Sequence, residues 1–201
     1  MIDIKDLGKH CGVDEVGRGA WSGPVVAAAV RLNNSANIIG LADSKIISSS
    51  LRVKLYYQII ENSSVGVSFV SPKAIDSKNI LQASLLAMEE AAKKILNEEE
   101  KIYFDGNFLP KYFQNSPKAF AVIKGDQKIA NIAAASIVAK VSRDFFMNTL
   151  NLLCPGYGWA KNVGYGVATH SLGINKLGVN THHRRSYKPI YNILCSKDLS
   201  N

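Results

Sequence analysis

The sequence has 201 residues, 47% of them apolar, which suffices to bury the core of one ordinary domain and excludes extensive disorder. Its 24 Lys and Arg outnumber its 16 Asp and Glu, and the resulting charge of +8 favours a polyanionic partner without identifying it. The three cysteines form no CxxC pair, and no apolar stretch reaches the ~18 residues of a membrane span, which argues against a thiolate zinc site and a membrane protein. We expect a cytoplasmic protein.

The first half of the chain alternates apolar runs with helical patterns. Strands are predicted over 11–14, 25–32 and 65–70, and helices over 48–61 and 79–96. The run VVAAAVRL at 25–32 lacks polar alternation, which is typical of a strand buried on both faces. Apolar residues of 79–96 recur every three or four positions, as on the core-facing side of a helix.

The second half continues this alternation. Short apolar strands are predicted over 101–105 and 119–124, followed by a helix over 127–153 whose alanines suit close packing on a sheet. Residues 155–201 are richer in Gly, His and Arg and predict a helical, partly extended C-terminal region. No linker divides the chain, so we expect one α/β domain over 1–201, a mixed sheet with helices on its faces.

Four acidic residues stand where apolar strands run out or a helix should begin. Asp14 and Glu15 follow the first strand, Asp105 ends the run Ile-Tyr-Phe, and Asp126 precedes the predicted helix at 127. Each has a plainer interpretation: Asp14 and Glu15 as a solvated strand end, Asp105 as a turn former, Asp126 as a helix N-cap. Ligand groups gather where the strands of open α/β sheets end, which favours a shared site.

A cluster of four carboxylates could not stay ionised without cations, because like charges at short distance repel strongly. Divalent ions with oxygen ligands would relieve that repulsion. Two such ions suit phosphoryl chemistry, since one activates water and the other stabilises the leaving oxygen. The composition and the acids together favour a metal-dependent nuclease.

The ordered motifs of this chain resemble those of one enzyme family. The blocks are GVDEVGRG at 12–19, GPVVAAAV at 23–30, DSK at 43–45, DGN at 105–107, KGD at 124–126, IAAASIVAKVSRD at 132–144, GY at 164–165 and HHRRSY at 182–187. In this order and over about residues 11–189, they resemble the type 2 ribonucleases H.

The resemblance implies an endonuclease that produces 5′-phosphomonoesters. It implies cleavage of the RNA strand of RNA/DNA hybrids and nicking on the 5′ side of single ribonucleotides in duplex DNA, with two ions of Mg²⁺ or Mn²⁺ in the active complex. It implies a ribonuclease H-like fold, a mixed five-stranded sheet flanked by helices with a small helical C-terminal region. Asp14, Glu15, Asp105 and Asp126 match the metal-binding acids of the family. We expect a monomer.

The resemblance also implies residues that bind the substrate. Gly17, Arg18 and Gly19 match a ribose-sensing loop, whose glycines let the backbone approach the 2′-hydroxyl that distinguishes RNA from DNA. Tyr165 matches a tyrosine that packs on the neighbouring sugar, and Lys45 a lysine near phosphate. A tight turn, a core tyrosine and a solvated lysine are the plainer alternatives.

A basic cluster near the end of the chain completes the predicted substrate contacts. His182 and His183 precede Arg184 and Arg185, and we expect a cationic patch that contacts the nucleic-acid backbone. Val163 stands where lysine often precedes Gly-Tyr in the family, and Ala20 and Trp21 stand where proline and a small apolar residue are common. The missing lysine predicts modestly weaker binding.

Lys140 and Asp144 are not assigned to the site, and three alternative functions stay open. Lys140 and Asp144 lie four apart in the predicted helix, and an intrahelical ion pair is expected. The rivals are an inert nucleic-acid-binding module, a phosphoesterase acting on small molecules, and a type 3 ribonuclease H. Type 3 enzymes carry an extra N-terminal domain and a different fourth acid, whereas Asp14 leaves little room before it and Asp126 is an aspartate.

Overall fold

The computed structural model of the chain describes residues 10–33 and 47–198, with only the backbone of residues 197 and 198. The strands are β1 (His10–Val16), β2 (Val25–Leu32), β3 (Ser63–Val70), β4 (Lys101–Asp105) and β5 (Ala119–Val122). The helices are α1 (Ser49–Asn62), α2 (Pro72–Lys78), α3 (Ile80–Lys93), α4 (Ala130–Leu153), α5 (Trp159–Asn162), α6 (Ala168–Leu177) and α7 (Lys188–Asp198). Short 3₁₀ turns lie at Lys111–Phe113 and Gly125–Gln127.

The five strands form one mixed sheet in the order β3-β2-β1-β4-β5. β1 pairs antiparallel with β2, and β2 antiparallel with β3, whereas β1 with β4 and β4 with β5 are parallel pairs. The predicted fold class is therefore confirmed. The two strands that carry candidate acids, β1 and β4, are neighbours in the middle of the sheet.

β2 is buried on both faces, as its unbroken apolar run predicts. Val25, Ala27 and Ala29 pack into the core beneath α3. Ala28 and Val30 point the opposite way, into the core beneath α1 and α4. Because successive strand residues face opposite sides, the helix layers cover β2 from both directions and leave no face for polar residues.

The close approach of α4 to β1 depends on small residues. Ala133, Ala134 and Ala135 are fully buried at this contact. A Cβ atom added at Gly12 would lie 2.3 Å from the main-chain carbon of Asn131, so only glycine fits there. This contact seats the first turns of α4 directly against the strand that carries Asp14.

Most boundaries differ from the predicted ones by a few residues, and one helix was missed. α4 begins at Ala130 rather than 127, because residues 125–127 form a 3₁₀ turn after the left-handed Lys124. Ser48 caps α1, as predicted, by accepting from Leu51 N. The missed helix α2 has clear signals in the sequence, a capping Ser71 followed by Pro72 at its first position.

The C-terminal region is helical and packs on the end of α4. Tyr157, Trp159, Ile174 and Ile190 form a small core with Met147 and its neighbours. Whether 1–201 is one domain stays a prediction, although this core joins the last helices to α4. In the described residues, no helix is long and apolar enough to cross a membrane.

Candidate active site

The parallel pairing of β1 and β4 brings Asp14 and Asp105 together. The register joins Val13 to Phe104, and one step further along both strands come the two aspartates. Phe104 and Val13 face the α3 core. Asp14 and Asp105 therefore face the α4 side, since neighbouring strand residues point to opposite faces.

Asp126 is tied to this pair through the residue before it. Gly125 N donates a hydrogen bond of 2.6 Å to Asp105 Oδ1, which fixes the 3₁₀ turn against the end of β4. Asp126 is buried within that turn. It is not the N-cap of α4, a position occupied by Ile129 without a side-chain cap. The helix-cap alternative for Asp126 is therefore wrong for α4.

Burial and mutual repulsion govern the ionisation of the carboxylates. Burial raises the pKa of Asp14 well above its usual range, and the charges of Glu15 and Asp105 raise it further, against hydrogen bonds from Ser136 and from Glu15 N. Burial also raises the pKa of Glu15, while Arg18 opposes the rise and Asp105 adds to it. Asp14, Glu15 and Asp105 thus share one electrostatic field.

Glu15 is partly buried and forms an ion pair with Arg18. Its Oε1 lies 3.3 Å from Arg18 Nη1, an ion pair in which half of the arginine side chain is exposed. Its Oε2 is buried and has no hydrogen-bond partner among the described residues. A buried carboxylate oxygen that lacks a hydrogen bond and lies beside other acids is a suitable ligand for a cation.

The acids fit a divalent cation in their chemistry. Carboxylate oxygens are the ligands that Mg²⁺ and Mn²⁺ prefer. Within residues 10–33 and 47–198, no three His, Cys, Asp or Glu side chains are already arranged as a closed metal-binding set. What the structure shows is a cluster of acidic side chains around Asp14, to which Glu15 and Asp105 belong.

A loop of residues 17–24, which we name the Gly-Arg-Gly loop, lies beside Tyr165. Gly17 has φ +92° and a Cβ there would lie 2.3 Å from Arg143 Nε, so the loop needs glycine at that position. Gly19 is exposed, and a Cβ on it would meet only Tyr165, 3.7 Å from Cε1. Tyr165 is partly exposed, so it is not a fully buried core tyrosine.

The expected cationic patch at residues 182–185 is wrong for its two middle members. Arg184 is fully buried and donates to the carbonyl oxygens of Gly23 and Arg18. His183 is also buried, and burial together with His170 lowers its pKa to about 4. His183 is therefore neutral at physiological pH. Arg185 is exposed, and its backbone N–H donates to Asp76.

Two other sequence predictions have different outcomes. Lys45 lies outside the described residues, so its role stays a prediction. Lys140 and Asp144 form the expected ion pair at 2.8 Å within α4.

Sequence reasoning missed Arg143, which is fully buried on α4. Its side chain donates to Pro24 O, Ser22 O and Val163 O. A weak signal existed, because Arg143 stands in line with Ser136, Met147 and Leu150 on the buried face, at helical spacing.

Comparison with known proteins places the chain in a family. A sequence model described as ribonuclease HII matches residues 11–190. The chain belongs to the ribonuclease HII family. Among the blocks that indicated this family, GVDEVGRG and DGN supply Asp14, Glu15, Asp105 and the start of the Gly-Arg-Gly loop.

Individual relatives agree with the family assignment. The ribonuclease HII of Jannaschia sp. (strain CCS1) is 46% identical over 188 residues, which cover 94% of each protein. The crystal structure of the ribonuclease H2 from Pyrococcus horikoshii OT3 matches with a TM-score of 0.76 and 26% identity, covering 96% of this chain and 100% of that one. Bst-RNase HIII in complex with Mn²⁺ shares the fold, with a TM-score of 0.73 and 19% identity over 95% of this chain and 71% of that chain.

Proposed function

We propose that this ribonuclease HII hydrolyses the RNA strand of RNA/DNA hybrids and nicks duplex DNA on the 5′ side of single embedded ribonucleotides, leaving 5′-phosphomonoesters. The observation that carries the proposal is the cluster of Asp14, Glu15 and Asp105, in which burial and the charges of neighbouring acids raise the pKa of Asp14 and of Glu15. Such a cluster is unfavourable when its members are ionised without cations. Bound divalent cations would relieve that repulsion.

Asp14, Glu15, Asp105 and Asp126 would hold two ions of Mg²⁺ or Mn²⁺. When bound, these cations would supply charge neutralisation and polarise the phosphate and its attacking water. Mn²⁺ bound in Bst-RNase HIII, which has the same fold, supports this assignment. The protein's own contribution is a rigid donor set, because Asp14 and Asp105 lie on paired strands and Asp105 is held by Gly125 N.

Selection of ribonucleotides would come from the Gly-Arg-Gly loop and the neighbouring Tyr165. Gly19 is exposed and has no side chain, so a sugar that approaches from solvent meets backbone there, beside the Tyr165 ring. Backbone groups at this distance can bond a 2′-hydroxyl, which DNA lacks. Arg18, Lys45 and Arg185 would add contacts to phosphates, whereas Arg184 would act through the loop that it holds.

Three duplexes test the proposal directly: DNA with one ribonucleotide, an RNA/DNA hybrid, and DNA alone. With Mg²⁺ or Mn²⁺ the purified protein should cut the first two, leave the third intact, and lose all cutting in chelator. Mapping the ends should place the nick on the 5′ side of the ribonucleotide. Equal cutting of all three duplexes would contradict 2′-hydroxyl sensing, and metal-independent cutting would contradict the role of the acids.

The inert-binding alternative makes the opposite prediction. It expects binding to all duplexes that weakens with salt and produces no cleavage with any divalent ion. The phosphoesterase alternative expects hydrolysis of small phosphorylated molecules and indifference to the duplex. The family membership, together with the cluster of acids on β1 and β4, favours the nuclease over both.

A further inference from the structure

Two arginines with fully buried side chains lie behind the Gly-Arg-Gly loop. Arg143 comes from α4 and Arg184 from the segment before α7, and both have 0% exposure. Burial lowers the pKa of Arg143 to about 10 and lowers that of Arg184, so both remain cations at neutral pH. We name this pair the arginine clamp.

The clamp holds the loop by four of its carbonyl oxygens. Arg143 donates through Nε to Pro24 O at 2.9 Å and through Nη2 to Ser22 O at 3.1 Å. Arg184 donates through Nε to Gly23 O at 3.1 Å and through Nη1 to Arg18 O at 2.8 Å. Each guanidinium therefore contacts the loop at two points, which a lysine ammonium cannot reproduce in the same planar geometry.

Arg143 also holds the segment that carries Tyr165. Arg143 Nη1 donates to Val163 O at 2.8 Å, and its guanidinium carbon lies 5.7 Å from the Tyr165 ring centre. Val163 has φ 41°, a left-handed conformation that is unfavourable for a β-branched residue, so neighbouring contacts must hold it there. Trp21 N and Ser22 N both donate to Gly164 O, which joins the two segments directly.

Arg184 reaches the loop a second time through Tyr187. Its Nη1 donates to Tyr187 Oη at 2.9 Å, and that hydroxyl donates in turn to Arg18 O. Arg184 Nη2 is buried without a hydrogen-bond partner among the described residues. The loop carbonyl of Arg18 thus receives two donors, both positioned by the clamp.

Burying the two guanidinium groups of the clamp is energetically unfavourable. Within the described part of the chain, neither guanidinium forms an ion pair with a carboxylate, and their acceptors are carbonyl and phenol oxygens. Buried cations without acidic partners carry a large desolvation penalty. Apolar residues could fill the same volume at less expense, so precise placement of the loop is the better explanation.

We propose that Arg143 and Arg184 are positioning residues that fix the placement of the Gly-Arg-Gly loop beside Tyr165, and that this placement sets the preference for a single embedded ribonucleotide over a continuous hybrid. The inference rests on the proposed function. A hybrid offers a 2′-hydroxyl at every position, so an imprecisely placed loop can still find a productive register. A single ribonucleotide offers one register, and loss of precision removes it.

The test measures how fast the Arg143→Lys variant cleaves the single-ribonucleotide duplex and the hybrid. This substitution keeps the positive charge and removes the planar guanidinium with its several N–H donors. We expect the ratio of the two rates to fall about tenfold or more, given that misplacement by an ångström can cost ~10²-fold. The loss on the single ribonucleotide should lie in kcat, with KM nearly unchanged, because the duplex still binds through its phosphates.

Arg31→Lys is the matched control. Arg31 is a partly buried arginine on β2 that contacts Glu100 and Ile95 O, on residues that have no part in the proposed site. The Arg31→Lys variant should leave the ratio of the two cleavage rates unchanged. Thermal melts of both variants show whether a general loss of stability accompanies the change in ratio.

A milder variant covers the case in which Arg143→Lys does not fold. Tyr187→Phe removes the hydroxyl between Arg184 and Arg18 O and keeps the ring, and we expect it to lower the ratio about threefold, as for loss of one neutral hydrogen bond. A ratio unchanged in Tyr187→Phe and in any folded Arg143→Lys would overturn the clamp. Failure of the unaltered protein to cut either duplex would instead overturn the proposed function.

Discussion

Asp14 lies where the sheet, α4 and two other carboxylates meet, and its side chain is enclosed by protein. An acid whose pKa is raised by folding stabilises the native state while it is protonated. That stabilisation is present at the acidic end and is lost as the pH rises through the raised pKa. In the absence of cations at neutral pH, the ionised Asp14 therefore lowers the free energy of unfolding.

Asp14→Asn should abolish cleavage and also stabilise the metal-free protein. The amide keeps the shape, removes the buried charge, and ends the repulsion with Glu15 and Asp105. We expect a gain on the order of 1 kcal/mol at neutral pH, or about 3 °C in melting temperature for a chain of this size. Thermal melts in chelator measure it.

Asp144→Asn is the control for that prediction. It removes a carboxylate of the same kind from α4 that has an ion pair with Lys140. This variant should stay active and lose about 0.3–0.5 kcal/mol, the worth of a helical ion pair. A metal-free Asp14→Asn that melts below the unaltered protein would show that the carboxylate is not under electrostatic strain.

At the scale of elements, two glycines in or just after β1 differ in the space around them. Gly12 lets β1 touch the main chain of α4, and an added Cβ would lie 2.3 Å from Asn131. Gly19 lies in the Gly-Arg-Gly loop, where an added Cβ would meet only Tyr165 at an ordinary contact distance of 3.7 Å. Gly12 is required for packing, whereas Gly19 is not, which is consistent with its proposed contact with the sugar.

An alanine substitution at each position should separate an effect on stability from an effect on cleavage. Gly12→Ala should destabilise the protein by about 1–3 kcal/mol, since backbone must shift to relieve the overlap. Gly19→Ala should change stability by less than about 0.5 kcal/mol and yet slow cleavage at a single ribonucleotide at least about tenfold. Denaturant unfolding and initial rates measure the two effects. Full activity in Gly19→Ala would mean that the sugar lies elsewhere.

The elements were predictable to the extent that their signals are local. The unbroken run of β2 fixed its burial, and the capping Ser48 fixed the start of α1. The meeting of Asp14 with Asp105 was not local, because it depends on a parallel pairing between strands about 90 residues apart, which the resemblance implied and periodicity could not.

The site was harder to predict where a residue type departs from its usual environment. Arginine is almost never fully buried, so sequence analysis placed Arg184 on the surface and passed over Arg143. Their acceptors are backbone carbonyls, which have no signature in side-chain chemistry. Only the three-dimensional path of residues 17–24 shows why two cations are needed there.

At the scale of the molecule, two parts of the protein contribute different abilities. Asp14, Glu15 and Asp105 lie on β1 and β4, whereas the proposed sugar contacts come from the loop after β1 and from Tyr165 in the C-terminal region. We therefore expect some substitutions to change cleavage and others to change selectivity. We expect cations to act on the protein through the acids.

Mg²⁺ should stabilise the protein in a pH-dependent manner. At about pH 8, where Asp14 and Glu15 can ionise, a cation at ~100 times its Kd should add about 2.7 kcal/mol to the free energy of unfolding. At about pH 5 protons compete for the same carboxylates, whose pKa values are raised, and the gain should be smaller. Melting curves with and without Mg²⁺ at both pH values measure the difference.

Asp105→Asn should reduce the Mg²⁺ stabilisation at the higher pH, and Asp144→Asn should retain it. An equal Mg²⁺ effect at both pH values would mean that the cation binds outside the acidic pocket.

The hydrogen bond from Arg184 to Gly23 joins residues 161 positions apart, and that from Arg143 to Ser22 joins residues 121 apart. During synthesis the loop at 17–24 leaves the ribosome early and must wait for almost the entire chain before its carbonyls meet their donors. We therefore expect the placement of this loop to be among the last features of the protein to form, after the sheet and α4 have been made.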